Sequence, residues 1–390
     1  MATRWRVLVL LFLVRVTMPF QFLVVGALSP LYQEAFSVTI ADIGLLIGLF
    51  FTPGLFLAVL GGALGRRFGD KPMVLVGLAL MAIGSGVMAI SDVWAVLLAG
   101  RLIAGLGGVL LYVLLTKMIA DWFTGKEITF AMALFVNSWP VGIALALVVL
   151  PMVAGYGGFV TALNLVTGMA VAGFIGLALF YRTPQTAQVS RSAPGGQVRG
   201  ALLGAVLAAG TIWGLYNAAL SIVFNFGPEL FVTRGMALAE AGSVTSIIFW
   251  LLAIGGSFAA FLVDWTGRRN LILVTGNLGF AVFVFIGSVT DQVLLNVIAM
   301  GVFSGIAVGA MMSLPALVLP PAARAVGMGV FFTAFFVFGT IGPIIAGWLA
   351  ELTGDIASTY RLSAGLLVAS VLFLPLYHKL AARAAKDQQA

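Results

Sequence analysis

The chain has 390 residues, of which 62% are hydrophobic and 8% charged, whereas a soluble domain carries roughly 25% charged residues. This composition excludes a water-soluble globular fold and predicts an integral membrane protein. With no cysteine and a single histidine, His378, the chain lacks the parts of metal centres, disulfides and Ser-His-Asp catalysis. We therefore expect no enzyme activity, no catalytic residue, no metal and no cofactor.

Apolar tracts of sufficient length to cross a bilayer recur along the whole chain, since about 20 apolar residues span its hydrocarbon core. The first tract shows no small-residue cleavage site, so we interpret it as a retained membrane helix. A polar stretch at 182–199 is typical of a flexible linker. The predicted spans are 7–30, 41–63, 73–90, 94–117, 128–151, 159–181, 200–227, 241–263, 270–288, 292–315, 325–349 and 361–380.

Basic residues concentrate on one side of these spans. If the N-terminus faces the cytoplasm, sixteen of the twenty lysines and arginines lie in cytoplasmic segments, while most acidic residues lie on the opposite side. Loops rich in lysine and arginine remain in the cytoplasm, so we predict that both termini are cytoplasmic. Topology thus accounts for the net charge of +7, and we expect no nucleic-acid partner.

One spacing relates landmarks in the two halves of the chain. Gly69 and Gly267 stand 198 positions apart, as do Pro30 and Pro228. This repeat predicts two copies of a six-span unit, and six crossings return the chain to its starting side, so the copies are parallel. The predicted parts are an N-terminal half at 1–181, a cytoplasmic linker at 182–199 and a C-terminal half at 200–390.

Three motifs carry a resemblance to a known family. The turn after the second span reads Gly62-Ala63-Leu64-Gly65-Arg66-Arg67-Phe68-Gly69-Asp70-Lys71, and it recurs as Asp264-Trp265-Thr266-Gly267-Arg268-Arg269. It resembles the signature Gly-x-Leu-x-Asp-Arg-x-Gly-Arg-Arg/Lys of the major facilitator superfamily. The run Arg101 to Gly107 is similar to that family's fourth-helix motif, Arg-x-x-x-Gly-x-Gly. At Arg66 and Asp70 the chain departs from the pattern, because the two charges are exchanged.

The resemblance implies an all-α membrane protein with 12 transmembrane helices in two parallel six-helix halves, working by alternating access in a bacterial inner membrane. It also implies a monomer in the lipid bilayer with a small-molecule substrate. A weaker similarity, at 117–123 and 137–142, is to cyanate-type porters of the same superfamily. In the family the charged turn controls switching through charge pairs, which implies gating roles for Arg66, Arg67, Gly69, Asp70, Asp264, Gly267, Arg268 and Arg269.

Two arginines, Arg15 and Arg101, lie in the interior of predicted spans, away from the span ends, and no carboxylate does. An ionisable residue at membrane depth is a functional candidate because its burial is costly. The resemblance places helices 1, 4, 7 and 10 around a central cavity that both arginines would face. On the seventh span, polar residues at four-residue intervals share one face. The predicted substrate-binding residues are Arg15, Gln21, Arg101, Tyr112, Asn137, Trp213, Asn217, Ser221 and Asn225.

Simpler roles remain open for these residues. Arg15 has an alternative role in satisfying backbone carbonyls near Pro19, and Arg101 an alternative role in gating or coupling. The stripe on the seventh span is also compatible with hydrogen bonds between helices alone.

The two isolated arginines predict that the solute is a small anion or weak acid, because an uncompensated buried guanidinium prefers an anionic partner. Without a membrane carboxylate, coupling would use a proton carried on the substrate or a counter-anion. An exporter of amphipathic compounds is an alternative, since 30 phenylalanines and 14 methionines could line an adaptable pocket. A non-transporting membrane sensor on the same fold is a further alternative.

Overall fold

The computed structural model describes residues 3–123, 127–184, 198–320 and 323–387, so most of the predicted linker, 185–197, lies outside the described residues. All regular structure in the described part is helical, with a short 3-10 turn at Gly26–Leu28. The helices are α1 (Thr3–Leu23), α2 (Ser29–Phe36), α3 (Ile40–Leu49), α4 (Gly54–Phe68), α5 (Asp70–Ala89), α6 (Trp94–Trp122), α7 (Ile128–Val136), α8 (Ser138–Phe180), α9 (Gly200–Thr233), α10 (Leu238–Thr266), α11 (Arg269–Val289), α12 (Val293–Val318), α13 (Arg324–Thr353), α14 (Ala357–Leu372) and α15 (Leu374–Asp387).

Within the described residues, 11 helical stretches are long and apolar enough to cross a membrane. One of them, Phe130–Phe180, is 51 residues long, about twice what a single crossing needs. Its helix α8 is interrupted at Gly157 and Gly158, where the backbone is not helical, and Gly158 has φ 69°, a conformation that favours glycine. The predicted spans 128–151 and 159–181 meet at this interruption. The helices are thus consistent with twelve crossings.

Four predicted spans are not single helices, which corrects the sequence-based boundaries. The tracts 7–30, 41–63, 128–151 and 361–380 each contain two helices separated by a short break. In every case a proline stands at the cap or in the first turn of the second helix, where its missing N–H costs little. These prolines are Pro30 in α2, Pro53 before α4, Pro140 in α8 and Pro375 in α15.

The chain forms two compact units. The first comprises Met1–Thr39 with Leu49–Ala193, and the second comprises Ile40–Gly48 with Pro194–Ala390. In the first unit α5 packs closely on α6, because glycines let the backbones approach. A Cβ on Gly107 would meet the backbone oxygen of Gly77. The same unit contains both membrane arginines, Arg15 and Arg101.

The segment Ile40–Gly48 packs within the second unit, although the repeat places it in the N-terminal half. Its glycines explain the attachment. Gly44 lies against the backbone of Pro343 and Gly347 on α13, and Gly48 lies against Thr340 of the same helix. Side chains at these two positions would keep α3 away from α13.

Candidate substrate site

Arg15 lies on α1 in the interior of the first unit, with only 6% of its surface exposed. Its Nη1 donates a long hydrogen bond of 3.4 Å to the carbonyl oxygen of Phe135, and its Nε has no hydrogen-bond partner among the described residues. No carboxylate in the described part of the chain lies within 4.0 Å of the guanidinium. Arg15 is therefore a buried cation without a counter-charge.

Aromatic rings surround this cation. The guanidinium carbon of Arg15 lies 4.5 Å from the ring centre of Phe135 and 5.8 Å from that of Tyr112. Tyr112 in turn meets Trp139 edge to face, with ring centres 6.4 Å apart. Electron-rich ring faces stabilise a cation at these distances, but they do not neutralise it. Asn137, half-buried, lies at the junction of α7 and α8.

Sequence reasoning missed Phe135 as a neighbour of Arg15. Phe135 lies at the end of α7, and nothing in the sequence indicated that this end packs against α1.

Arg101 is fully buried, and its guanidinium forms hydrogen bonds to backbone carbonyl oxygens. Nη1 donates to the carbonyl oxygen of Gln21 at 2.5 Å and Nη2 to that of Phe22 at 2.6 Å. These carbonyls belong to the last turn of α1, which has no following helical residues to satisfy them. Arg101, and not Arg15, thus satisfies the carbonyls where the first helix ends. Phe50 covers the guanidinium, with 4.8 Å to its ring centre.

Gln21 is also almost completely buried. Its Nε2 donates to the carbonyl oxygen of Met81 at 3.0 Å, and its Oε1 has no partner among the described residues. We call the two hydrogen bonds from Arg101 to the carbonyls of Gln21 and Phe22 the arginine clamp. Gln21 is thereby held by α5 on one side and by the arginine clamp on the other, and its Oε1 remains an unpaired acceptor.

The predicted stripe on α9 belongs to the second unit and is turned inward. Trp213 and Ser221 are 9% and 3% exposed, Asn225 is fully buried and Asn217 is half-buried. The two amides donate along their own helix, from Asn217 to the Trp213 carbonyl at 2.8 Å and from Asn225 to the Ser221 carbonyl at 2.9 Å. Trp213 Nε1 and Asn225 Oδ1 have no partner among the described residues. The stripe thus keeps one free donor and one free acceptor.

The first charged turn forms an ionic cluster at the start of α5. Gly69, with φ 93°, makes the turn, and the following Asp70 pairs with Lys117 of α6. Lys117 also lies 3.6 Å from Asp121. Lys71 donates 2.8 Å hydrogen bonds to the carbonyl oxygens of Ala178 and Tyr181 at the end of α8.

The other predicted gating residues that the structure describes form no ion pair with this cluster. Arg67 is exposed, with its guanidinium carbon 5.2 Å from the ring centre of Phe68. In the second turn, Gly267 has φ 64° and Arg268 is exposed, while Nε of Arg269 has no partner among the described residues. The side chains of Arg66 and Asp264 lie outside the described part of the structure.

The sequence model of the family described as Major Facilitator Superfamily matches residues 10–234 and 202–389. The chain is 24% identical over 368 residues to a hexuronate transporter of Bacillus subtilis (strain 168), covering 87% of this chain and 86% of the relative. It is 25% identical over 321 residues to the inner membrane transport protein YajR of Escherichia coli (strain K12), covering 79% of this chain and 69% of that protein.

A solved structure shares the fold. The D-xylose-proton symporter superposes with a TM-score of 0.76 at 15% sequence identity, covering 95% of this chain and 97% of the symporter. At this identity the likeness concerns the fold alone. Together with the family match and the apolar helices, it establishes that the chain belongs to the Major Facilitator Superfamily and is a multi-pass membrane transporter, not an enzyme.

Proposed function

We propose that the protein moves a small anionic or weak-acid solute across the membrane by alternating access, with Arg15 as the anion-binding group. The observation that carries the proposal is the buried guanidinium of Arg15, which has no carboxylate within 4.0 Å among the described residues. An unpaired buried charge destabilises the protein by several kcal/mol. A bound anionic solute would supply the counter-charge to the guanidinium and offset part of that free energy.

The unsatisfied donor adds a geometric argument. Nε of Arg15 has no hydrogen bond and Nη1 has only the 3.4 Å contact with Phe135. A carboxylate or similar oxyanion accepts from guanidinium in pairs of short, charge-assisted bonds. The rings of Tyr112 and Phe135 exclude water from the cation on two sides, which strengthens such a bond.

Other polar groups remain candidates for contacts with the rest of the solute. In the first unit, Gln21 Oε1 has no hydrogen-bond partner among the described residues. The predicted contributors are Gln21, Tyr112, Asn137, Trp213, Asn217, Ser221 and Asn225. Arg101 is assigned to the clamp on α1 because both of its terminal nitrogens bond to backbone oxygens.

One relative supports this choice of solute class. The hexuronate transporter aligns over most of both chains, and hexuronates carry a carboxylate. Coupling of transport to a second ion does not require a carboxylate in the membrane. A weak acid can carry its own proton, and anion exchange needs no side-chain proton relay. The similarity to cyanate-type porters at 117–123 and 137–142 stays a prediction.

We further propose that the charged turns act as gate elements and that the protein is a monomer in the bacterial inner membrane with both termini in the cytoplasm. The cluster of Asp70, Lys117 and Asp121 supports the gate assignment, because it places charge pairs at the turn to which the resemblance assigns switching. The excess of lysine and arginine on one side supports the orientation.

Thermal unfolding of the purified protein with a panel of solutes tests the substrate class. We compare small carboxylates and inorganic anions with neutral sugars and amphipathic cations, on wild type, Arg15→Gln and the control Arg361→Gln. Arg361 is a half-exposed arginine whose partner is Asp355 at 3.0 Å. A ligand that binds the folded state raises the melting temperature by mass action.

We expect one class of anions to stabilise the wild type and Arg361→Gln, but not Arg15→Gln. Stabilisation only by amphipathic compounds, independent of Arg15, would contradict the proposal and favour an exporter. Anion stabilisation that survives Arg15→Gln would place the anion elsewhere.

A further inference from the structure

The last helix, α15, carries three basic residues on one face. Lys379, Arg383 and Lys386 follow each other at intervals of four and three residues, which places them one above the other on a helix. All three side chains are exposed. We call these three residues the basic stripe.

The opposite face of α15 fixes the direction of the basic stripe. Leu374, Tyr377 and Ala384 are buried, and the hydroxyl of Tyr377 donates to the carbonyl oxygen of Leu314 on α12 at 2.8 Å. Between these faces, Leu380 packs on α9, because its side chain fills the space beside Gly204. The helix is therefore anchored to the second unit with its basic stripe turned outward.

The same outward face is apolar just before the basic stripe. Leu376 on α15 is 43% exposed and stands three residues before Lys379. Leu372, the last residue of α14, is 71% exposed and stands four residues before Leu376. Large exposed apolar side chains on a membrane helix face hydrocarbon. One face thus passes from apolar to basic within about two turns, which is the change expected where a helix leaves the hydrocarbon for the headgroup layer.

The basic stripe has no counter-charge in the described part of the protein. No carboxylate there lies within 4.0 Å of its three cations, and Asp387, one turn beyond Arg383, forms no ion pair with it. Two other arginines of the same unit do have acidic neighbours: Arg234 lies 4.0 Å from Asp291 and Arg361 lies 3.0 Å from Asp355.

We propose that the basic stripe is a binding surface for anionic phospholipids. Their headgroup phosphates contact Lys379, Arg383 and Lys386, and their acyl chains lie along Leu372 and Leu376. Charge complementarity and the continuous apolar face select a lipid over a soluble anion, because a soluble anion would gain nothing from the leucines. A basic residue held at an anionic surface strengthens binding about fivefold, and salt weakens the attraction.

The test uses the full-length purified protein in a neutral detergent, titrated with short-chain phosphatidylglycerol or with phosphatidylcholine of the same chain length. The readout is the melting temperature as a function of lipid concentration. The variant Lys379→Gln/Arg383→Gln/Lys386→Gln removes the basic stripe. A matched control, Arg6→Gln/Arg182→Gln/Arg324→Gln, removes the same charge from three other exposed positions. Glycerol 3-phosphate provides the headgroup anion without chains.

We expect phosphatidylglycerol to stabilise the wild type and the control at lower concentration than phosphatidylcholine does. In the stripe variant the apparent affinity for phosphatidylglycerol should fall about tenfold or more, with phosphatidylcholine unchanged. The charge-conserving Lys379→Arg/Lys386→Arg variant should keep the wild-type preference.

Several results would overturn the proposal. Equal stabilisation by the two lipids would show that lipid charge has no role. An equal loss of affinity in the control variant would show that only the net charge of the protein matters. Full stabilisation by glycerol 3-phosphate would show that the site binds a soluble anion instead of a lipid.

Discussion

Asp70 at the start of α5 is paired with Lys117 on α6, although the two residues stand 47 positions apart. The side chain of Asp70 is only 5% exposed and that of Lys117 is 29% exposed. In the family signature, the position of Asp70 carries an arginine. Here the anion stands in the turn and the cation on α6, and their attraction links the two helices.

This pair predicts an asymmetric response to mutation. Lys117→Met leaves the buried Asp70 carboxylate without its cation and should cost about 3 kcal/mol of stability. Asp70→Asn should cost less, because Lys117 keeps Asp121 at 3.6 Å. The exchanged double variant Asp70→Lys/Lys117→Asp should recover part of the loss. Thermal unfolding in detergent measures all three, with the exposed Arg324→Met as the control. Equal melting temperatures for Lys117→Met and Arg324→Met would show that the pair is not stabilising.

The clamp formed by Arg101 predicts a loss of stability without a change of solute preference. Lysine presents a single ammonium group and cannot reach two carbonyls in the planar geometry of guanidinium. Arg101→Lys should therefore leave one carbonyl at Gln21 or Phe22 unsatisfied and destabilise the protein by about 1–3 kcal/mol. The order of stabilising solutes should stay that of the wild type. Unchanged stability together with lost anion stabilisation would instead assign Arg101 to the solute.

The sequence predicted the architecture because the relevant signals are strong and local. Apolar length, the excess of basic residues on one side, and the repeated turn at Gly69 and Gly267 are visible in short windows. The predictions of an all-helical membrane fold, of the family and of a protein that is not an enzyme are confirmed. The isolation of Arg15 was also predictable, since no carboxylate lies in the interior of a predicted span.

The roles inside the candidate site could not be predicted in the same way. The end of α1 at Leu23 lies in an uninterrupted apolar tract, so hydropathy gives no sign that Gln21 and Phe22 need a donor. That donor, Arg101, lies about 80 positions away on another helix. The aromatic contact of Phe135 with Arg15 is likewise a tertiary relationship, and no local pattern encodes which helix faces it.

Glycine packing between α5 and α6 predicts a contrast between two identical substitutions. A Cβ on Gly84 would lie 2.5 Å from the carbonyl oxygen of Gly100 and 2.6 Å from the amide nitrogen of Ala104. Gly84→Ala should force the helices apart and cost about 1–3 kcal/mol. A Cβ on Gly168 would meet nothing within 4 Å, so Gly168→Ala should be neutral or stabilising, because alanine favours the helix. The melting temperatures of the two variants test this contrast. A lower melting temperature in both variants would indicate a cause other than packing between α5 and α6.

The final prediction compares Lys71 with its repeat counterpart, Arg269. Lys71 bonds the carbonyl oxygens of Ala178 and Tyr181, where α8 ends and its last carbonyls lack helical partners. Arg269 holds the equivalent place in the second copy, but there the chain continues as α15 to Asp387. Lys71→Met should therefore lower stability by about 1–2 kcal/mol, while Arg269→Met should have a smaller effect.

Thermal unfolding of both variants, beside the charge-conserving Lys71→Arg, measures the difference. Lys71→Arg should keep most of the wild-type stability, since arginine can still donate to both carbonyl oxygens. If Arg269→Met is as damaging as Lys71→Met, the cation at this position acts through something other than the carbonyls of a helix end, because only the first copy ends its helix there. If neither variant changes the melting temperature, the two 2.8 Å hydrogen bonds of Lys71 are balanced by the cost of dehydrating its ammonium group.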